Sequence, residues 1–516
     1  MLCLALVSCA RTDAVDPPPA LEGEAMIPPS EGEAESEPSE PAGPLELTVK
    51  EAILTALDNN RALRLERLSP KRSRVSEDSA RAVFDPTLTA GYSTSRDRTD
   101  RRDTGADETS KDFGADVGVS QFLPTGTSVE AGVSTDRSWS DLYGDQHTTR
   151  ADLTVTQALL RGAGLRRNLA ALRQARLDTL ASEYELRGFA ESLVAQVEET
   201  YWNLALAERR IEIVTDSLKL AEQQLAETEE RIKLGKLAEI ERAAARTEVA
   251  LRREGLIDAR GALATTRLRL LRLVNAPGAD LWGRPVALRD APAAPEATLD
   301  DVESHVKVAL RLRPDLNQAR LALERQELEV VTTRNGLLPK LDLFITLGRT
   351  GYADSFASST DDLDDGSHDL RAGVNLEIPL GNRSARASHR RALLGREGAE
   401  ESLKNLAQLV QVDVRSAYIE VTRSREQVAA TKVTRERQAE SLRAETEKFK
   451  LGKSTAFLVA QAQRDLLAAR LGEVEAVVNY LKALVGLYRL EGALLERRGL
   501  VVPGAAPAEA IRSAPR

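Results

Sequence analysis

The side chains that most often carry out chemistry in proteins are few and poorly spaced in this chain. Its two cysteines, Cys3 and Cys9, both lie at the extreme N-terminus, so they form neither a disulfide framework nor a zinc-ligand spacing. The four histidines are scattered without a metal-binding spacing; they are His147, His305, His368 and His389. We therefore predict no metal site and no cofactor.

Adjacent carboxylates could in principle share general acid and base roles, and two such pairs are Glu198-Glu199 and Glu229-Glu230. Both pairs fall inside long helical patterns, where acidic residues usually form solvated pairs with basic residues one turn away. The sequence also has no glycine-rich phosphate loop and no nucleophile elbow. These observations predict that the chain is not an enzyme.

Cys9 has a different potential chemistry, which is lipidation. The apolar segment 1–9 ends in Leu6-Val7-Ser8-Cys9, a pattern similar to the bacterial lipobox. We interpret residues 1–9 as a residual signal sequence with Cys9 as the lipidated residue. A basic start and a longer apolar core are missing, so an upstream start site and an ordinary N-terminus stay open as alternatives.

The negative charge of the chain is concentrated in residues 10–46, which contain ten acidic residues and one basic residue. This segment is also rich in proline and has almost nothing to bury, so we predict a disordered tether. The remaining residues contain equal numbers of acidic and basic side chains. A balanced body predicts no nucleic-acid partner.

One short turn is used twice, and the long helices of the chain are arranged around it. The two copies, 217 residues apart, are Lys233-Leu234-Gly235-Lys236 and Lys450-Leu451-Gly452-Lys453. Apolar residues recur every seven positions on both sides of the first turn, which is typical of coiled-coil helices. A glycine in such a pattern ends one helix and starts a hairpin.

Proline and alternating residues precede each helical hairpin, and here the copies are 253 residues apart, as Pro86 and Pro339 show. Alternation over 341–347 and 370–378 predicts two strands with one apolar face, as in a membrane β-barrel. The first copy has an additional alternating pair at 113–119 and 129–133. This pair either brings the chain to six strands or folds as an appendage.

These patterns divide the folded body into two repeats. The predicted segments are a first repeat at 47–275, with strands at about 86–157 and a helical hairpin at about 166–275; a linker at 276–298; a second repeat at 299–495, with strands at about 340–379 and a hairpin at about 384–495; and a tail at 496–516.

Several motifs together resemble the TolC-type outer membrane efflux protein family. The motifs are Gly336-Leu337-Leu338-Pro339-Lys340-Leu341, Glu377-Ile378-Pro379-Leu380, Lys448-Phe449-Lys450-Leu451-Gly452 and the segment 458–466. The resemblance implies a mainly α fold with a β-barrel portion. Duplicated coiled-coil hairpins would form a periplasmic α-barrel, and a homotrimer would share one transmembrane β-barrel in the bacterial outer membrane.

The resemblance also implies a function, which is passive exit of drugs, metal ions or secreted proteins. An inner membrane transporter and a periplasmic adaptor (membrane fusion) protein would deliver them, and outer membrane lipid would surround the barrel. The implied adaptor-docking residues are Leu234, Gly235, Lys236, Leu451, Gly452 and Lys453, with Glu241 as a gate residue. Leu458 and Gln461 stand where some members have acidic residues. A structural coiled-coil lipoprotein or scaffold is the alternative.

Overall fold

A computed structural model describes residues 44–101, 106–140, 144–277, 281–295, 299–365 and 367–500. The predicted signal segment with Cys9, residues 10–43 of the predicted tether and residues 501–516 lie outside this range. Among the described residues, no helix has the length and apolar character needed to cross a membrane.

The first repeat is built from helices, four long strands and a helical hairpin. Its elements are β1 Leu45–Leu47, α1 Val49–Asn59, α2 Arg61–Glu66, α3 Leu68–Arg81, a 3-10 turn Ala82–Phe84, β2 Thr87–Arg101, β3 Ala106–Leu123, β4 Thr127–Ser140, β5 Gln146–Ala158, α4 Leu165–Asn168, α5 Ala170–Lys233 and α6 Ile240–Val274.

The second repeat follows the same plan with two fewer strands. Its elements are β6 Val286–Leu288, α7 Val302–Leu312, α8 Pro314–Asn335, β7 Lys340–Ala353, α9 Phe356–Asp365, β8 Ser367–Glu377, α10 Arg383–Lys450, α11 Ala456–Leu490 and α12 Leu494–Arg497. The loop predicted to be polar and irregular after β7 therefore contains the helix α9.

Equivalent helices begin at equivalent capping residues in the two repeats. The hydroxyl of Thr48 accepts a hydrogen bond from the amide of Glu51, and the carboxylate of Asp301 accepts one from the amide of Glu303. These side chains satisfy amide groups that have no partner within the helix. The two caps are 253 residues apart, so the duplicated spacing reflects a duplicated structure.

The ends of two predicted segments are corrected by a small parallel sheet. In it, β1 pairs with β6, which joins Leu45–Leu47 to Val286–Leu288. The buried hydroxyl of Tyr201 donates to the Leu47 carbonyl at 3.0 Å and accepts from the Asp290 amide at 3.1 Å. The tether therefore cannot extend to Glu46, and the linker 276–298 is not wholly irregular, because both segments are paired here.

The long strands form one antiparallel sheet in the order β2-β3-β4-β5-β7-β8. The additional pair of strands in the first repeat belongs to this sheet, so each chain has six strands. Residues that pair directly across neighbouring strands share a face. One such row crosses all six strands and consists of Leu88, Val119, Ala131, Leu153, Leu347 and Leu370.

The opposite face of the sheet is polar and rich in small residues. The adjacent row there consists of Thr89, Gly118, Gly132, Asp152, Gly348 and Asp369. An added Cβ at Gly348 would lie 2.3 Å from the Arg150 guanidinium. Arg150 is bound to Asp369, with 2.9 Å between Nη1 and Oδ1. The sheet thus separates an apolar face from a charged one, as the strand alternation predicts.

The longest helices are α5 and α10, with 64 and 68 residues, and each would measure about 100 Å at 1.5 Å per residue. Each packs against the helix that follows its turn, α6 or α11. The seven-residue stripe is buried where the repeats meet, as Val197, Leu204, Val414 and Val421 show. Arg435, which interrupts the stripe, pairs through Nε with Glu473 on α11 at 2.7 Å.

The segment around α12 corrects two further predictions. Leu494 and Leu495 are buried in the core formed with α5, so the structure stays ordered past position 495. Arg498 donates to Glu198 of α5, with 2.7 Å between Nε and Oε1, and Glu198 is fully buried. Glu198 is therefore not a solvated surface residue, because the C-terminal segment covers it.

A second buried carboxylate lies two turns earlier on α5. Glu191 bonds to Arg187, with 3.2 Å between Nε and Oε1, and Arg187 also pairs with Glu496 after α11. Burial raises the pKa of Glu191 to about 7, although Arg187 opposes the shift. These two clusters attach the C-terminal segment to α5 through charged groups removed from water.

Candidate functional site

The two Leu-Gly-Lys turns have the same backbone geometry. Gly235 and Gly452 are left-handed, with φ of 67° and 70°. In the first turn, the Lys236 amide donates to the Arg231 carbonyl at 2.8 Å, and the Gly235 amide donates to the Ile232 carbonyl at 2.9 Å. This paired pattern is the Schellman motif, which satisfies the last carbonyl groups of a helix.

The second turn repeats these bonds closely. The Lys453 amide donates to the Lys448 carbonyl at 2.8 Å, and the Gly452 amide donates to the Phe449 carbonyl at 3.0 Å. Glycine is required at both centres because an L-residue in this conformation costs about 1–2 kcal/mol. The repeated letters in the sequence thus encode one local structure twice.

The residues predicted to dock an adaptor are exposed. Leu234 is 61% exposed and Leu451 is 72% exposed, although both are large apolar side chains. Lys236 and Lys453 are exposed as well, and no heavy atom lies within 4 Å of an added Cβ at either glycine. Each tip therefore presents leucine and lysine without covering by another part of the described chain.

The structure brings the two tips together. Leu237, just past the first turn, packs against the buried cluster of Phe449, Ala456 and Val459 at the second. The Arg231 guanidinium lies 4.8 Å from the centroid of the Phe449 ring. All six predicted docking residues therefore lie at one end of the helical hairpins, which sequence spacing alone did not require.

Glu241 lies half-buried in the first turn of α6, six residues beyond Gly235. The matching position after the second turn is Leu458, which is 44% exposed, and Gln461 is also exposed. Only the first hairpin of each chain therefore contributes an acidic residue here. The geometry makes the two tips unequal at the site predicted to be a gate.

Sequence reasoning missed an ionic link between the hairpins. Glu248 of α6 is buried and pairs with Arg464 of α11, with 2.9 Å between Oε2 and Nη1. Glu248 also pairs with Arg252, one turn further along α6. Asp465, 217 residues after Glu248, repeats its acidic character, and that repeat was the available signal. The link lies two helical turns beyond Glu241 and joins the repeats close to their tips.

Comparison with known proteins decides what this arrangement belongs to. A family model described as outer membrane efflux protein matches residues 128–276 and 306–493, which include both turns and most of the sheet. The chain belongs to the outer membrane efflux protein family. This confirms the predicted family and places the protein in the bacterial outer membrane, with its helical part in the periplasm.

Relatives of this efflux protein include the pyoverdine export outer membrane protein OpmQ of Pseudomonas aeruginosa. OpmQ is 26% identical over 343 residues, covering 64% of this chain and 68% of OpmQ. The solved structure of the outer-membrane channel OprN has a TM-score of 0.66 at 19% identity and covers 86% of this chain and 90% of its own. The Campylobacter jejuni CmeC channel has a TM-score of 0.65 at 17% identity, covering 90% and 88%.

These structural likenesses confirm the predicted fold class of this efflux protein, mainly α with a sheet portion. The family is one of channels, which agrees with a transport function. Among the described residues, no group of three or more histidine, cysteine or acidic side chains is placed to hold a metal ion.

Proposed function

We propose that three copies of this efflux protein form the outer membrane exit duct of a tripartite export system. The supporting observation is the unfinished sheet. Within the described residues, β2 pairs only with β3 and β8 pairs only with β7, so both edges of the sheet are open. On the apolar face, Leu88, Leu370 and Val374 are 70%, 67% and 57% exposed.

An open sheet edge cannot persist in lipid, because its amide and carbonyl groups would have no hydrogen-bond partner. Joining β8 of one copy to β2 of the next would remove every edge. Three copies would give roughly 18 strands, and barrels of that size enclose an aqueous channel. The apolar face would meet the lipid, and the face with Asp152 and Arg150 would meet water.

The long helices also favour assembly. Ile257 of α6 is 70% exposed, and Ile419 and Val412 of α10 are 66% and 60% exposed. Such residues on coiled-coil helices usually pack against neighbouring helices. Helices of adjacent copies would cover them and continue the duct through the periplasm.

The orientation of the sheet can be tested with two neighbouring substitutions on β8. Val374 pairs with Leu343 on the apolar face, whereas Asn375 pairs with Asp342 on the polar face. We expect Val374→Arg to prevent membrane insertion, because arginine facing lipid costs about 2–4 kcal/mol at the membrane centre. Asn375→Arg should leave the trimer intact, as measured by cross-linking of outer membrane fractions.

The same purified trimer distinguishes a duct from a structural scaffold. Reconstituted in planar bilayers, the wild type and Asn375→Arg should conduct ions. A cross-linked, correctly inserted trimer without conductance would contradict the duct and favour the scaffold. Equal insertion of both variants would instead contradict the assignment of the faces.

We assign adaptor docking to the hairpin tips and gating to the region just beyond them. Leu234, Leu451 and the neighbouring lysines give each tip an apolar centre with positive charge, which suits an adaptor hairpin with acidic and apolar residues. Glu241 would contribute one carboxylate per copy to the entrance. The Glu248–Arg464 link would hold the two hairpins of one copy in the closed arrangement.

Breaking that link should open the duct. We expect Arg464→Glu to raise single-channel conductance about three-fold or more, because it places two carboxylates together near the tips and they repel each other. The charge swap Arg464→Glu with Glu248→Arg should return conductance towards the wild-type value. Unchanged conductance in the single variant would remove Arg464 from the gate.

We propose small molecules as the cargo. The support is the relative OpmQ, whose name describes pyoverdine export. Accumulation of candidate compounds in cells with and without this protein, compared across the pumps of the host, would identify the cargo.

A further inference from the structure

A line of basic residues crosses the apolar face of the six-stranded sheet near its outer end. This basic rim consists of Arg96 on β2, Lys111 on β3, Arg137 on β4 and Arg349 on β7, with His147 on β5 and His368 on β8. The pairings Arg96 with Lys111, Arg137 with His147, and Arg349 with His368 put the two members of each pair on one face.

The face of the rim is the apolar one. Positions two apart along a strand share a face. Arg96 follows Leu88 by eight residues, Arg137 follows Ala131 by six, and Arg349 follows Leu347 by two. All three reference residues belong to the apolar row that crosses the sheet. The rim therefore lies on the surface assigned to lipid and not on the surface assigned to the channel.

The rim is at the end of the sheet away from the helices. The β3–β4 turn lies beside the helices, since the Asn168 side chain donates to the Pro124 carbonyl at 3.1 Å. Arg96, Lys111 and Arg137 lie towards the opposite ends of their strands. Because the helical part is periplasmic, the rim lies towards the outer leaflet.

The rim runs parallel to the apolar band. From β2 to β8, the rim moves by six residues relative to the Leu88 row. The inner edge of the band moves by the same six residues, from Leu88 on β2 to Leu376 on β8. Six residues are about 20 Å along a strand, and five strand spacings are about 24 Å. The resulting angle is about 40°, which matches the strand tilt of membrane barrels.

A line tilted by that angle relative to the strands is level in a membrane. The basic rim therefore lies at one depth, just outside the apolar band. Trp139 pairs with Lys111 in the same row, and the lysine ammonium lies 4.9 Å from its ring centroid. Aromatic residues at this depth are typical of the boundary between lipid chains and headgroups.

The charge of the rim is only partly neutralised. Arg137 pairs with Asp145, with 2.9 Å between Nη2 and Oδ1. Within the described residues, Arg96 and Arg349 form no ion pair, and both are exposed. The nearest acidic group of residues on this face is on α9, where Asp362 accepts from the Tyr352 amide at 2.9 Å. A net positive line remains where headgroups would lie.

We propose that the basic rim binds phosphate groups of anionic lipids in the outer leaflet. This rests on the proposed outward orientation of the apolar face. Basic residues placed at headgroup depth attract anionic lipids and lose that attraction beyond a Debye length. An arginine guanidinium also matches a phosphate with two parallel hydrogen bonds. The level line of Arg96, Lys111, Arg137 and Arg349 offers several such contacts to one lipid layer.

The test uses the full-length trimer in nanodiscs of phosphatidylcholine with 20 mol% of a probe lipid. The probes are diphosphoryl lipid A, monophosphoryl lipid A and none. Native mass spectrometry counts retained lipid. The rim variant combines Arg96→Gln, Lys111→Gln, Arg137→Gln and Arg349→Gln. The matched control removes four exposed basic residues of the helices, Lys219→Gln, Arg260→Gln, Arg425→Gln and Lys432→Gln.

We expect the wild type and the control to retain diphosphoryl lipid A best and the rim variant to retain at least about ten-fold less. Raising the salt concentration should weaken retention in the wild type. Equal retention by the rim variant and the control would overturn the proposal. Conductance of the same nanodisc samples, transferred to bilayers, tests the duct separately, so lost lipid binding with normal conductance refers to the rim alone.

Discussion

Replacing Gly452 with proline is expected to abolish export while leaving the trimer in the outer membrane. Gly452 has a φ of 70°, whereas proline fixes φ near −65°. Proline also lacks the amide that donates to the Phe449 carbonyl at 3.0 Å. The tip of the second hairpin cannot then close, and the docking surface with Leu451 and Lys453 is lost. Cargo accumulation should reach the level of cells that lack the protein.

The matched control is Gly452→Asn, because asparagine tolerates the left-handed conformation and keeps the amide. This variant should retain most export and should still cross-link to the adaptor from Lys453. The sheet is far along the chain from this turn, so both variants should give the same trimer yield. Normal export by the proline variant, with an intact trimer, would show that the second tip does not dock the adaptor.

Replacing Arg498 with alanine is expected to release the C-terminal segment from α5. Glu198 is fully buried, and Arg498 is the basic residue that pairs with it, at 2.5 Å between Nη2 and Oε2. Removing one partner of a buried pair commonly costs about 3–5 kcal/mol. Because Arg498 is partly exposed, we expect about 3 kcal/mol, or roughly 100-fold faster hydrogen exchange of amides 494–500.

The pH dependence of this effect has a definite sign. Burial raises the pKa of Glu198, and Arg498 opposes that shift. A carboxyl whose pKa is higher in the folded state stabilises that state when protonated, and the stability is lost as pH rises. The defect of Arg498→Ala should therefore shrink as pH falls from 8 to 5. Glu191, with its pKa of about 7, is present in every variant and affects all alike.

The control for this experiment is the double variant Arg498→Ala with Glu198→Gln. It has no buried charge, so its hydrogen exchange should be slower than that of Arg498→Ala and should vary less between pH 5 and 8. If the two variants behaved alike at pH 8, the buried charge of Glu198 would not be the source of the instability.

The sequence by itself determined the features that depend on neighbouring residues. Gly235 and Gly452 mark the turns because only the backbone conformation at that position decides where a helix ends. The alternation from Leu341 to Leu347 predicts an apolar face because side chains in a strand point alternately to opposite sides. The duplicated spacing predicts equivalent helices for the same reason, since capping at Thr48 and Asp301 is local.

The tertiary structure decided the features that join distant parts of the chain. Sequence patterns left open whether the extra strands enter the sheet, because alternation does not specify a pairing partner; the pairing of β5 with β7 settles it. Glu198 looked like a surface residue because Arg498, which covers it, is 300 residues away. The contact of Leu237 with Phe449 likewise depends on how two long hairpins pack, and no spacing within either hairpin specifies that.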